Sequence, residues 1–66
     1  MDYDAELHDY IFNDNSYAGY IYGDSRERWA DGTFVYTSST VSVTGDILQT
    51  LNTRYKLVNT TNKGNN

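Results

Sequence analysis

Polar and apolar residues alternate with a period close to two through residues 33–58, which read TFVYTSSTVSVTGDILQTLNTRYKLV. Alternation of this kind is typical of β-strands that bury one face and leave the other in water. Val41 and Val43, for example, each lie between two polar residues. Gly45 and Asp46 separate two such runs, at a point where a tight turn needs a residue that tolerates positive φ. This stretch predicts a mainly β chain.

A further segment of the same kind, YAGYIY, occupies residues 17–22. Gly19 within it indicates a β-bulge or the close approach of another backbone. The predicted strands lie at residues 17–22, 33–37, 40–43, 47–51 and 54–58, and the second and third can also be one bent strand. Short antiparallel strands at this density predict a meander or a small, partly closed SH3-like barrel of four or five strands.

Residues 1–12 are predicted to form a short N-terminal helix. Leu7, Tyr10 and Ile11 fall at i, i+3 and i+4, which gives one apolar stripe, and acids near the start suit the helix dipole. A helix this short is stable only if its stripe packs on the rest of the fold. An extended edge strand is therefore the alternative interpretation.

The chain has 66 residues, which makes one small domain whose hydrophobic core is marginal by itself. It has no cysteine and one histidine, His8, which excludes disulfides, thiolate metal sites and multi-histidine zinc sites within one chain. Dense packing of its aromatic residues or formation of a homodimer remain as sources of stability. The domain is predicted to cover residues 1–58. Residues 59–66 lack apolar side chains and are predicted to be a disordered tail.

No apolar run approaches the ~20 residues that a membrane-spanning helix needs. The first ten residues are acidic, whereas a secretory signal begins with basic residues and continues with apolar ones. We therefore expect a soluble protein of the cytoplasm that makes no contact with membranes.

The net charge of −4 is unevenly distributed along the chain. Residues 1–25 contain six acids and no lysine or arginine, and all five basic residues follow in residues 26–66. A negative field opposes non-specific binding of DNA or RNA, because neutralisation of phosphates supplies most of that affinity. It favours attraction to a basic surface on a partner protein.

Neither catalysis nor metal binding is indicated by the residues present. His8 lies among acids and is interpreted as a solvated surface residue rather than a catalytic base. The oxygen-rich segments at residues 2–4 and 13–15 consist of types that also form caps and turns, and neither has the ligand spacing of a calcium-binding loop. We expect no enzymatic activity, no metal and no cofactor.

The tyrosines and acids of the N-terminal part form the first candidate binding surface. Tyrosine is enriched at protein interfaces because it buries a large area and keeps a polar group, and carboxylates can imitate a phosphate backbone. The alternative is that the tyrosines complete the core and the acids keep the protein in solution. The predicted partner-binding residues are Asp2, Tyr3, Asp4, Glu6, Asp9, Tyr10, Asp14 and Tyr17.

Basic and aromatic residues of the second half form the alternative candidate surface, which would bind nucleic acid. Aromatic rings can stack on bases while basic side chains hold phosphates. The small number of basic residues and the negative net charge oppose this interpretation. The predicted residues are Arg26, Arg28, Trp29, Arg54 and Lys56.

Residues 28–38 and 45–57 carry the pattern W-x-D-G, T-S, T-x-N-T-x-Y-x-L. In this pattern the chain resembles short β-rich proteins of phages and mobile elements, whose matching residues belong to turns and strands. In size, acidity and tyrosine content it is also similar to phage-encoded anti-CRISPR proteins. This resemblance implies an inhibitor in the host cell that covers the basic nucleic-acid-binding surface of a host complex, such as a CRISPR effector.

Overall fold

The computed structural model describes residues 3–59, which form six β-strands and no helix. All six strands belong to one sheet, in the order β3-β2-β1-β6-β5-β4. The prediction of a mainly β fold is confirmed. The bounds of the strands are β1 Ala5–Asn13, β2 Ser16–Tyr22, β3 Thr33–Tyr36, β4 Thr40–Thr44, β5 Ile47–Thr50 and β6 Arg54–Val58.

The prediction of an N-terminal helix is wrong, because most of that segment belongs to β1. This strand pairs with β2 on one side and with β6 on the other. It is therefore a central strand, and not the edge strand of the alternative interpretation. Hydrogen bonds to both neighbouring strands pair the backbone groups of β1. An isolated helix of this length would be only marginally stable.

The sheet is open and mixed, which corrects the predicted antiparallel meander or SH3-like barrel of four or five strands. β1 and β6 run parallel, with Leu7 opposite Leu57, whereas the other four neighbouring pairs are antiparallel. Among residues 3–59, no ladder joins the edge strands β3 and β4, so the sheet does not close. The sequence patterns of single strands contain no information on this pairing.

The connection between the two edge strands requires the sheet to curl. A flat six-stranded sheet would separate its edges by about 24 Å, whereas the four steps from Tyr36 to Thr40 span at most about 14 Å. Both edge strands run in the direction of β1, so the chain continues from β3 into β4 through a bend. The Thr40 N–H donates to the Asn15 carbonyl (2.7 Å), which fixes this bend against the β1–β2 turn.

The concave inner face of the curled sheet holds the core. Core residues alternate with outward-facing residues along each strand. They also lie opposite one another on neighbouring strands, as Leu7 does with Ile21 and Ala5 with Tyr55. Because both halves of the sheet contribute, the core excludes water without a second layer of helices. The buried core residues are Ala5, Leu7, Ile21, Val35, Leu48 and Tyr55.

A bulge in β1 shifts the alternation of its side chains by one residue, so that odd-numbered residues face the core before the bulge and even-numbered residues face it afterwards. The register with β2 shifts between His8 and Ile11, and Asp9 adopts a positive φ of 50°. Before the bulge Leu7 is buried in the core, and after it Tyr10 packs against the same core. The extra residue therefore keeps apolar side chains on the inner face although their spacing is odd.

Gly19 lies opposite this bulge, where the two backbones approach closely. A Cβ atom at this position would lie 2.9 Å from the His8 carbonyl oxygen and 3.1 Å from the Tyr10 Cα. The predicted close approach of a second backbone to Gly19 is confirmed, and the bulge belongs to the facing strand rather than to β2.

Residues 1–2 and 60–66 lie outside the described part of the chain. The predicted partner-binding residue Asp2 and nearly all of the predicted tail fall there. Between residues 3 and 59, no helix has the length and apolar character needed to cross a membrane.

Candidate protein-binding surface

The convex outer face of β2 and β3 carries a group of exposed aromatic rings. Their positions follow from the core, because Ile21 and Val35 point inward and their neighbours must point outward. The four rings are between 39% and 69% exposed. We name this group the outer aromatic patch, and it consists of Tyr20, Tyr22, Phe34 and Tyr36.

Edge-to-face contacts hold the rings of the patch in place. The centroids of Tyr20 and Phe34, which lie opposite each other across the strands, are 5.1 Å apart with an interplanar angle of 64°. Phe34 and Tyr36 are 5.4 Å apart at 88°. Tyr22 packs on the His8 ring at 4.4 Å. Aromatic pairs prefer such arrangements, so the rings are ordered before any partner binds.

The size of the patch is notable for so small a chain. Since a fully exposed aromatic side chain presents about 200 Å², the four rings leave roughly 400 Å² accessible. Ile11, which is exposed and lies on β1 opposite Ala18, adds to the same face. Apolar patches of a few hundred Å² on single chains often mark binding sites.

The border of the patch on β1 is acidic. Glu6 lies opposite Tyr22, and its carboxylate is 2.8 Å from the His8 Nε2. The nearest lysine on the following strand is Lys56, whose Nζ lies 3.6 Å from an Asp46 carboxylate oxygen. This lysine is therefore already paired with an acid.

The structure gives Asp4 a structural role. Its Oδ2 accepts hydrogen bonds from the Arg54 backbone N–H (3.0 Å) and from Arg26 Nη2 (3.4 Å). Its own N–H donates to the Arg54 carbonyl, and its carbonyl accepts from the Ser25 N–H, both at 2.8 Å. Asp4 thus joins the start of β1 to β6 and to the loop that follows β2.

Tyr10 and Tyr17 lie on the inner side, away from the outer aromatic patch. Their ring centroids are 5.9 Å apart, and Phe12 contacts Tyr17 at 5.1 Å. Both tyrosines pack against the core at the far end of the β1–β2 hairpin. This placement favours the alternative in which these tyrosines complete the core.

The remaining members of the predicted acidic surface are spread along β1. Tyr3 is half-buried before the strand, Asp9 occupies the bulge, and Asp14 lies in the hairpin turn with a φ of 59°. The nine residues of β1 extend over about 30 Å, and outside the bulge successive residues point to opposite faces. Among the members of this set that the structure describes, no compact acidic patch therefore forms.

The loop between β2 and β3 contains the first three residues of the alternative set, and two of them bind acids. Arg26 reaches Asp4, as described above. Arg28 Nε lies 3.2 Å from Asp24 Oδ2, and its Nη1 donates to Thr53 Oγ1 at 3.1 Å. Trp29, the third of these residues, is about half exposed.

Asp24 and Arg28 form a pair in which the carboxylate is buried, with 1% of its side chain exposed. Burial raises the pKa of Asp24, but hydrogen bonds from the Arg28 side chain and from the N–H groups of Arg26 and Arg28, with the Arg28 charge, outweigh it. The pKa of Asp24 consequently lies below its ordinary value. The hydrogen bond to Asp24 raises the pKa of Arg28 in spite of desolvation.

Three of the five predicted nucleic-acid-binding residues are thus paired with carboxylates, namely Arg26, Arg28 and Lys56. The other two, Trp29 and Arg54, are exposed. Ion pairing with the chain's own acids reduces the charge that these residues offer to phosphates.

The predicted contact residues include none of the four residues of the outer aromatic patch, although Tyr20 and Tyr22 belong to the tyrosine-rich N-terminal part. A signal for them was present in the alternation of YAGYIY and TFVY. Once Ile21 and Val35 are assigned to the core, the residues on either side of them must lie on the opposite face.

The described surface offers an open face rather than an enclosed site. Residues 3–59 enclose no pocket, and they bring together no group of three potential metal ligands among His, Cys, Asp and Glu. A ligand of the outer aromatic patch must therefore be something that covers a convex face.

Comparison with known proteins adds no relative from which a role could be transferred. No family model, curated protein or solved structure matches the chain. The function must be argued from the exposed aromatic rings, their acidic border and the net charge.

Proposed function

We propose that this protein is a small acidic inhibitor that binds another protein, as phage-type anti-defence proteins of the anti-CRISPR kind do. Its partner is a host protein complex, such as a CRISPR effector, and it covers a basic nucleic-acid-binding surface of that complex in the cytoplasm. The observation that carries the proposal is the outer aromatic patch with its acidic border.

The composition of the patch supports a protein as the partner. Tyrosine and phenylalanine are enriched in the centres of protein interfaces, where their rings bury large areas. The edge-to-face contacts of Phe34 with Tyr20 and Tyr36 restrict these rings in the free protein. Binding then requires less ordering of side chains and is stronger for the same area.

The charges around the patch support a basic partner. The net charge is −4, and Glu6 borders the rings directly. Arginine side chains of a partner can stack on exposed tyrosine and phenylalanine rings while their charge interacts with such an acid. Surfaces that bind nucleic acid are rich in arginine, so they match both properties of this face.

Single-stranded nucleic acid is the second candidate ligand. The observation that favours it is the placement of exposed rings on neighbouring antiparallel strands, because such rings can stack on bases. The net negative charge opposes it. The alternative set of Arg26, Arg28, Trp29, Arg54 and Lys56 lies largely outside this patch and is tested separately below.

We expect Phe34→Ala combined with Tyr36→Ala to weaken partner binding at least about tenfold, because truncation of central aromatic residues removes most of the energy of an interface. The measurement is capture of host complexes on the immobilised protein, followed by elution with an oligonucleotide that competes for the same basic surface. The wild type should retain a complex that the oligonucleotide releases, and the double variant should not.

Trp29→Ala serves as the matched control, because it removes an equally exposed aromatic side chain outside the patch. It should leave capture unchanged. Undiminished capture by the double variant would contradict the proposal. Direct binding of an oligonucleotide that is lost in the Trp29 variant would instead support the alternative nucleic-acid surface.

A further inference from the structure

Among the described residues, the edge strand β4 has an open side beyond its first residue, Thr40, whose N–H donates to the Asn15 carbonyl of the β1–β2 turn (2.7 Å). It pairs only with β5, so one side of its backbone has no neighbouring strand among the described residues. Val41 and Val43 are 59% and 44% exposed, and the strand contains neither charge nor proline. Charges and prolines are two of the means by which proteins prevent an edge from pairing, and the register shift between Thr40 and Ser42 confines any pairing to the part of β4 beyond it.

The sequence of β4 is symmetric about its central residue. It reads Thr-Val-Ser-Val-Thr over residues 40–44, so Ser42 is the centre of a palindrome. If two copies pair antiparallel about a two-fold axis at Ser42, Val41 of each copy faces Val43 of the other. Thr40, whose N–H donates to Asn15 and whose hydroxyl is buried, lies outside the paired stretch. Cross-strand pairs of β-branched residues and of hydroxyl residues are favourable, and no like charges oppose each other.

We propose that β4 is a homodimer interface, at which the β4 edges of two copies pair antiparallel about a two-fold axis at Ser42. A second copy fits this edge because an isologous interface must be self-complementary, and the palindrome supplies that property. The edge at β3 reads Thr-Phe-Val-Tyr and has no such symmetry. The two sheets then form one continuous sheet of twelve strands.

Leu51 is 69% exposed, but it follows β5 and its N–H donates to the Ser39 carbonyl at 3.1 Å, so it lies on the β5 side of β4 and away from the free edge. The irregular register between Thr40 and Ser42 bends the strand and limits the length of pairing.

The dimer leaves the outer aromatic patch free. The patch lies on the convex face of β2 and β3, whereas the proposed pairing uses the backbone edge of β4. A dimer would present two patches and could bind a partner with repeated basic surfaces more tightly than one copy can. The interface is argued from β4 alone and does not depend on the proposed function.

The test measures molar mass by sedimentation velocity between about 1 µM and 500 µM. The wild type should move from the monomer mass of 7.6 kDa towards twice that value. Ser42→Lys should remain monomeric throughout, because it places two like charges opposite each other at the axis. Ser25→Lys, an equal charge change at an exposed serine of the loop after β2, should dimerise as the wild type does.

A mixture of Ser42→Lys and Ser42→Glu should restore a one-to-one dimer, although each variant alone is monomeric. Damage to the fold cannot produce this rescue, so the mixture separates interface effects from instability. Monomeric wild type at the highest concentration would overturn the proposal, as would dimerisation of the lysine variant alone. Failure here would leave capture of a partner by the patch unaffected, so the two proposals are tested independently.

Discussion

Asp24→Ala is expected to lower the free energy of unfolding by about 3 kcal/mol, because it removes a buried carboxylate that accepts hydrogen bonds from two backbone N–H groups and from a charged side chain. Asp24 accepts hydrogen bonds from the N–H groups of Arg26 (3.1 Å) and Arg28 (2.9 Å) and from the Arg28 side chain. A domain of this size has a total stability of only about 3–10 kcal/mol. The substitution should therefore unfold a measurable part of the protein at room temperature.

The size of this effect follows from the position of Asp24 in the chain. Its carbonyl accepts from the Glu27 N–H, which closes a turn in the loop. Arg28, held by Asp24, donates to Thr53, whose backbone N–H in turn donates to the Thr50 hydroxyl in the β5–β6 turn. One carboxylate thus connects the long loop to a turn on the other half of the sheet.

Urea unfolding of three variants tests this expectation. Asp24→Ala should have the lowest midpoint, and Asp24→Asn should lie between it and the wild type because the amide keeps one acceptor oxygen. Glu27→Gln is the control, since it removes an equal charge from an exposed side chain of the same loop. Equal midpoints for the Asp24→Ala and Glu27→Gln variants would show that the buried pair contributes nothing.

Acid should remove the same stabilisation. The pKa of Asp24 is lower in the folded protein than in the unfolded chain, where it is about 3.9. The unfolded state therefore takes up a proton first, and stability that is complete above that value is lost as the pH falls through the folded pKa. The Asp24→Asn variant should show a shallower loss of stability below about pH 4. Parallel curves for the variant and the wild type would contradict this assignment.

The strands of residues 33–58 could be predicted from the sequence nearly to the residue. The predicted ranges 40–43 and 54–58 correspond to Thr40–Thr44 and Arg54–Val58. The predicted turn at Gly45 is also confirmed, and this glycine has the expected positive φ, at 61°. Local alternation and turn chemistry decide these elements, so a short window of sequence contains the necessary information.

The N-terminal segment could not be predicted in this way because of its bulge. Leu7 and Tyr10 both face the core, three positions apart, which is also the spacing of one face of a helix. In the structure the odd spacing arises from the extra residue at Asp9 within a strand. The parallel pairing of β1 with β6, some fifty residues away, contains no local signal at all.

The roles of the acids were equally hidden from the sequence. Asp4 accepts a hydrogen bond from the backbone N–H of Arg54, a residue fifty positions away. Asp4 therefore stabilises the fold in addition to contributing negative charge. The outer aromatic patch, by contrast, follows from alternation once the core positions on β2 and β3 are assigned. Exposed surfaces on strands are therefore more predictable here than structural ion pairs that join distant segments.

Gly19→Ala is expected to destabilise the protein by about 3 kcal/mol, because the added methyl group would meet backbone atoms that cannot rotate away. The His8 carbonyl oxygen, the Leu7 Cγ and the Tyr10 Cα all lie within 3.1 Å of the position of the new Cβ. β1 and β2 would have to separate at the bulge, next to the buried Leu7. Since β1 is a central strand, its displacement would disturb its pairing with β6 on the other side as well.

Gly23→Ala is the matched control, because its Cβ would have no neighbour within 4 Å and its φ is 63°. Its cost of about 1 kcal/mol reflects the left-handed backbone conformation alone. Chemical unfolding of both variants should therefore give a clearly lower midpoint for Gly19→Ala. The opposite order would mean that β1 can move away from β2 at little cost, and the bulge would then be a flexible joint rather than the fixed point that keeps Leu7 and Tyr10 on one face.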